Sequence, residues 1–318
     1  MRYAFARFMI NKKNPVLISY VGIVLVILIW GLVPLAKKAL IGDSFSAAVY
    51  STITTFSAAC VLLVASRSRL SEIGAGYFKV AVPTGLCVGL ASVFQAVAYN
   101  FDTSPTNQAF LENLSCITVP VILLLAVRKR PSVLTVGASV VCLLSSMVLA
   151  GVLDTGLSFR VADILNALAG LLYGVNIAVT GIYAKKYRAS LYVMIQLFIQ
   201  AAVSALMVLA FNFIRIGGEP IDPFVFTPVV WLVLCVAGIG ILANAVCWTL
   251  RTSAMRYVSA NVVAVMMPFS AVVTGVAAVI VGQDRASSSL IIGAVLGLLA
   301  SLMSSANDIR ENRIVNDK

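Results

Sequence analysis

Long apolar stretches broken by short polar connections run the length of the chain. An apolar helix of about 20 residues spans the hydrocarbon core of a bilayer. Ten stretches approach or reach that length, at about 16–36, 44–66, 77–99, 105–127, 133–152, 161–184, 191–214, 228–250, 258–281 and 289–306. Proline, glycine or charge marks nearly every break, as at Lys37-Lys38, Asp102 to Pro105, Arg128 to Pro131 and Gly217 to Pro223. The pattern predicts an all-α membrane protein of ten transmembrane helices. The apolar segment behind the basic lead (Arg2, Arg7, Lys12, Lys13) is too long for a signal peptide and reads as the first span.

Composition agrees. Hydrophobic residues make up 61 % of the 318 residues and charged residues 11 %, and mean hydropathy is +1.02. In water such a chain would expose aggregating apolar patches. The net charge of +11 is a topology signal rather than a nucleic-acid patch. With a cytoplasmic N-terminus and alternating spans, 18 of the 23 basic residues fall on inner segments and 5 on outer loops. Lys37 and Lys38 count as outer and Arg251 and Arg256 as inner. Positive-inside bias selects this orientation, with both termini cytoplasmic at the cell (inner) membrane.

The chain has no histidine, which removes Ser-His-Asp catalysis and His-ligated zinc or haem. Its six cysteines lie in apolar runs without a CxxC pair and read as small buried hydrophobes. No P-loop occurs. Nothing calls for a cofactor, a metal or an enzyme.

The two halves echo each other. An aromatic–Gly pair stands mid-span in spans one (Trp30-Gly31) and six (Tyr173-Gly174). Spans four and nine follow polar entries and carry Pro120 and Pro268; spans five and ten carry small residues at every fourth position (Ala138, Cys142, Ser146; Gly293, Gly297, Ser301). Two five-span repeats follow, 1–156 and 157–318, and the odd count inverts the second. Inverted repeats mark secondary transporters, with the site at midplane between them. The small-residue faces suit a homodimer or inter-repeat seam, or generic helix packing inside the bundle.

One acid stands inside a span. Glu112 shares a helical face with Gln108, Ser115 and Cys116, where a carboxyl should be paired or face a cavity. It suits proton exchange, an ammonium counter-ion or a structural hydrogen bond. Span six carries the stripe Asp163, Asn166, Gly170, Tyr173, Asn176, Thr180, with Asp163 at the outer end as a helix cap. Pro34, Pro83, Pro120 and Pro268 predict kinks within their spans.

The chain resembles the EamA-type transporters of the drug/metabolite transporter superfamily. The resemblance rests on Trp30-Gly31, on Thr103-Ser104-Pro105-Thr106-Asn107-Gln108-Ala109-Phe110-Leu111 leading to Val119-Pro120, on the basic turn Arg128-Lys129-Arg130-Pro131, and on Tyr257-Val258-Ser259-Ala260 leading to Gly282. It implies a basket of two inverted repeats around a central cavity, lined mainly by helices one, three, four, six, eight and nine. It favours Trp30, Gln95, Tyr99, Asn107, Glu112, Tyr173, Asn176, Asn244, Trp248 and Asn261 as substrate-binding residues and sets span seven (Gln196, Gln200, Ser204) aside. Glu112 departs from the small or hydroxyl residue usual there, and Gln283-Asp284 from a common Glu. The expected activity is export of a small polar or amphipathic, amino-acid-like metabolite by alternating access, proton-coupled through Glu112. The rivals are an importer of an organic cation with Glu112 as counter-ion, and a non-transporting membrane assembly protein. Expected partners are the small-molecule substrate, membrane lipid and a second copy of the chain.

Overall fold

The computed structural model describes residues 15–41, 44–101, 111, 114–128, 131–149, 160–216, 219–220, 222, 224–282 and 288–316. Ten helices run through them: α1 (Pro15–Leu40), α2 (Ala47–Ser66), α3 (Ala75–Val97), α4 (Ser115–Val127), α5 (Val133–Leu149), α6 (Val161–Tyr183), α7 (Ala189–Phe213), α8 (Val230–Ala254), α9 (Ala260–Ile280) and α10 (Ser288–Asn316). Seven are long and apolar enough to cross a membrane, and α4, α5 and Ile291–Asn307 of α10 are shorter apolar helices. A two-residue antiparallel ribbon, β1 (Arg215–Ile216) with β2 (Glu219–Pro220), follows α7.

The helices match the apolar stretches closely, because a helix satisfies its own backbone in lipid and needs only length and hydropathy. Two ends differ with consequence. Helix α1 runs four residues past the predicted limit and takes in Lys37 and Lys38. Helix α8 runs to Ala254 and takes in Arg251. Lys37, Lys38 and Arg251, all three assigned to loops, therefore sit on spanning helices.

Large apolar side chains such as Leu125, Val133, Leu209 and Ile291 are exposed on the outside, as expected of a lipid-facing surface. Inside, one cluster joins Ile23 and Val26 of α1 to Ile177, Cys247 and Val263, and a second joins Ala58, Val80, Leu191 and Trp248. Buried cysteines are Cys116, Cys142 and Cys247; Cys60 and Cys87 are half-buried and Cys235 is exposed.

The packing has a regular order. Helix α3 packs on α6 and α7, as α8 packs on α1 and α2; α4 packs on α6, as α9 packs on α1. Helix pairs α2–α7 and α5–α10 face each other. Exchanging every helix with the one five places on therefore maps these pairings onto themselves. The aromatic–Gly pairs obey the same exchange. A Cβ on Gly31 would overlap Val273 of α9, and one on Gly174 would overlap Thr118 of α4.

The small-residue faces of α5 and α10 are spent on each other. Ser145 Oγ donates to the Gly293 carbonyl at 2.7 Å, and Ala138, Cys142 and Ala300 fill one cluster. Of the four intramembrane prolines, Pro34, Pro83 and Pro120 stand in continuous helices, and only Pro268 interrupts one, between Ala260–Met266 and Phe269–Ile280. Beside that break Ser301 Oγ of α10 donates to the Val265 carbonyl at 3.3 Å.

Candidate functional site

A cavity enclosing about 1030 Å³ of empty space, its open mouth included, lies between the helices. Helices α1, α2, α3, α4, α6, α7, α8 and α9 all contribute to its wall. Helices α2 and α7 were not among the expected lining elements.

The aromatic side is built by α1, α6 and α8. Trp30 and Trp248 lie with ring centroids 5.5 Å apart, and Tyr173 lies 6.2 Å from Trp248. A π-helical turn, Ile241–Val246, within α8 carries Ala243 and Asn244 into the wall. Such turns disturb the regular carbonyl pairing and recur at functional sites. Here Trp30 Nε1 donates to the Ala243 carbonyl at 2.7 Å, which locks the indole to the turn.

Arg251 sits beneath these rings. Its side chain is fully buried. The guanidinium lies 4.0 Å over the Trp248 ring and 5.4 Å from the Trp30 ring, and Nη2 donates to Asn176 Oδ1 at 2.5 Å. Its Nε has no partner among the described residues. Each cation–π contact offers about 0.5–2 kcal/mol, whereas burying an ion costs several kcal/mol unless a counter-charge answers it. No described carboxylate pairs with it. A second cation, Lys37, reaches the wall from α1 and donates to Gln95 Oε1 of α3. Among the described lining residues there is no acid.

Hydroxyls from α2, α3 and α9 also line the wall. Thr55 donates to the Ser51 carbonyl (2.7 Å), Ser92 to Gly89 (3.0 Å) and Thr274 to Gly31 (2.7 Å). A hydroxyl has one proton and two lone pairs. With the proton spent on backbone, each presents acceptor capacity. Gln200 Oε1 and Tyr50 Oη, also in the wall, are buried without a partner among the described residues.

Of the residues singled out from sequence, Trp30, Gln95, Tyr173, Asn244 and Trp248 line the cavity. Asn176 stands behind it as the hydrogen-bond partner of Arg251. Tyr99 and Asn261 lie outside the lining; the Tyr99 hydroxyl donates to the Pro34 carbonyl at 3.0 Å. Asn107 and Glu112, with Gln283 and Asp284, lie outside the described residues. Asp163 caps α6, accepting the Arg160 backbone N–H at 3.1 Å. Span seven, set aside earlier, supplies Gln200.

Arg251 and Lys37 are the residues that sequence reasoning missed as site residues. A signal existed. Asn244, Trp248 and Arg251 follow at spacings of four and three, and Trp30, Pro34 and Lys37 do the same. Each stripe ends one residue past the predicted limit of its apolar run, at 36 and 250.

Against known proteins, residues 164–306 match the EamA-like transporter family, from the first turn of α6 into α10. This segment belongs to that family. The family is part of the drug/metabolite transporter superfamily, so the EamA-like segment marks a multi-pass membrane protein of transporter type. A crystal structure of a protein 15 % identical in sequence superimposes with a TM-score of 0.69, covering 92 % of this chain and 98 % of that one. At that identity the likeness concerns the fold alone. No curated protein matches the sequence.

Proposed function

We propose that the protein is a secondary active transporter that exports a small polar or amphipathic, amino-acid-like metabolite by alternating access through this cavity. The observation that carries the reading is the cavity itself: polar, charged and lined from both halves of an EamA-like bundle. A non-transporting assembly protein has no use for buried polar groups left without partners around an open space. The pairing of helices under a five-place exchange supports two inverted repeats, 1–156 and 157–318, that rock against each other.

In this reading Glu112 carries the coupling proton. By sequence spacing it shares a face with Ser115, which lines the cavity. The positive-inside bias persists without Lys37 and Arg251, and supports cytoplasmic termini and an inner-membrane location. Two lining cations oppose an organic-cation substrate.

The test is a thermal-shift screen of the purified protein against amino acids, amines, nucleosides and sugars, followed by vesicle uptake of each hit. Glu112→Gln should fold, with uptake at least tenfold slower and stripped of its pH dependence. Wild-type uptake by that variant would remove Glu112 from the coupling role. A folded protein with no saturable ligand would favour the assembly reading.

A further inference from the structure

We infer that the ligand of this cavity is a small organic carboxylate held by Arg251; the inference rests on the transporter reading and names its substrate class. Three observations converge. First, Arg251 is a fully buried cation on a spanning helix, answered among the described residues only by one amide and two indole faces. Its Nε lacks a partner there. A guanidinium stays charged at any pH a cell reaches and offers a planar fork that matches a carboxylate. A ligand carboxylate supplies a counter-charge that no described residue gives.

Second, the stack fixes the fork. The Trp248 ring on one face and the bond to Asn176 at one nitrogen hold the guanidinium plane in place. A preorganised donor loses little freedom when the anion arrives. Asn176 is thus a positioning residue, acting through Arg251.

Third, hydroxyls in the wall present lone pairs, with the Tyr50 hydroxyl among them. The lone pairs of Thr55, Ser92 and Thr274, with Gln200 Oε1, suit amino or hydroxyl protons on the same ligand. The aromatic wall flanks its apolar body. The matching ligand carries a carboxylate for Arg251 and polar hydrogens for these acceptors.

A phosphate ester fits less well. Its second charge needs a second cation close by, and Lys37 stands seven residues beyond Trp30 on α1, about 10 Å of helical rise.

The experiment measures equilibrium binding to the full chain in nanodiscs. The probes are leucine, phenylalanine and lactate, each beside its amide, with 3-methylbutylamine and phenethylamine as carboxylate-free amines and phenyl phosphate as the phosphate arm. We expect saturable binding of at least one carboxylate and at least tenfold weaker binding of its amide and amine. Arg251→Gln should bring that ratio close to one. Arg251→Lys, which keeps the charge without the fork, should retain the preference at lower affinity. Should Arg251→Gln fail to fold, Arg251→Lys and the wild-type ratios decide. Amide or amine binding equal to the carboxylate, an unchanged ratio in folded Arg251→Gln, or tighter binding of phenyl phosphate overturns the carboxylate inference and leaves the transporter reading standing. Absence of saturable binding by every probe overturns the carboxylate inference, and the transporter reading falls with it only when the broader screen also finds no saturable ligand.

Discussion

At the scale of single residues, the site is organised around a charge that the fold buries and does not neutralise with any described acid. Arg251 depends on Trp248 for a packed face and on Asn176 for a hydrogen bond. Hydrogen bonds to charged groups are worth about 1.5–3 kcal/mol. Asn176→Ala should lower stability by about 2 kcal/mol, read as a fall in the thermal midpoint in detergent, and should weaken ligand binding with it. Tyr99→Phe removes a neutral bond to the Pro34 carbonyl and should cost about 1 kcal/mol, with ligand affinity unchanged. Equal loss of affinity in both variants would contradict the division between site and scaffold. The aromatic members of this site were legible in the sequence chiefly through the family resemblance, which favours Trp30, Tyr173 and Trp248; Tyr173 also stands on the polar stripe of span six. Arg251 and Lys37 were not read as site residues. A charge at the edge of an apolar run reads as the start of a loop, and only the packed helices show that α8 and α1 continue one turn further and point these residues inward.

At the scale of helices, the contacts are set by small residues that let backbones approach. Gly31 against α9 and Gly174 against α4 occupy corresponding places. Adding side-chain bulk to a close-packed interior costs about 1–3 kcal/mol. Gly31→Val and Gly174→Val should each lower stability by that amount in a detergent melt, and a silent substitution at either site would contradict the close approach. Along α5 and α10, Gly297→Leu should destabilise the chain itself, since a Cβ at Gly297 already meets Ser145 Oγ at 3.0 Å. If that seam were instead a dimer contact, size-exclusion chromatography would show a smaller particle with unchanged thermal stability. Helix positions were legible from hydropathy to within a few residues, save at the end of α10, which runs to Asn316 past the predicted 306. The π-helical turn in α8 was not, nor was the proline that would break its helix. Pro34, Pro83, Pro120 and Pro268 look alike in a sequence. Of the four only Pro268 breaks its helix, and Ser301 donates to the Val265 carbonyl beside that break.

At the scale of the molecule, ten helices pair so that each half lends the other its packing partners, and the cavity draws on both. The topology proposed from the basic residues makes a direct prediction. A C-terminal green fluorescent fusion should fluoresce in the cytoplasm, and an alkaline phosphatase fusion at the same point should be inactive; an active phosphatase fusion would reverse the orientation. The central claim is that this cavity carries a metabolite across the bilayer. The measurement that bears on it most directly is uptake of radiolabelled carboxylates into proteoliposomes, comparing the wild type with Ser92→Trp, which fills the cavity from α3. Saturable uptake is expected of the wild type, and its loss is expected in a variant that still reconstitutes and melts cooperatively. Saturable uptake persisting in the filled variant would place the path elsewhere, and no uptake by a folded wild type of the ligand it binds would contradict transport.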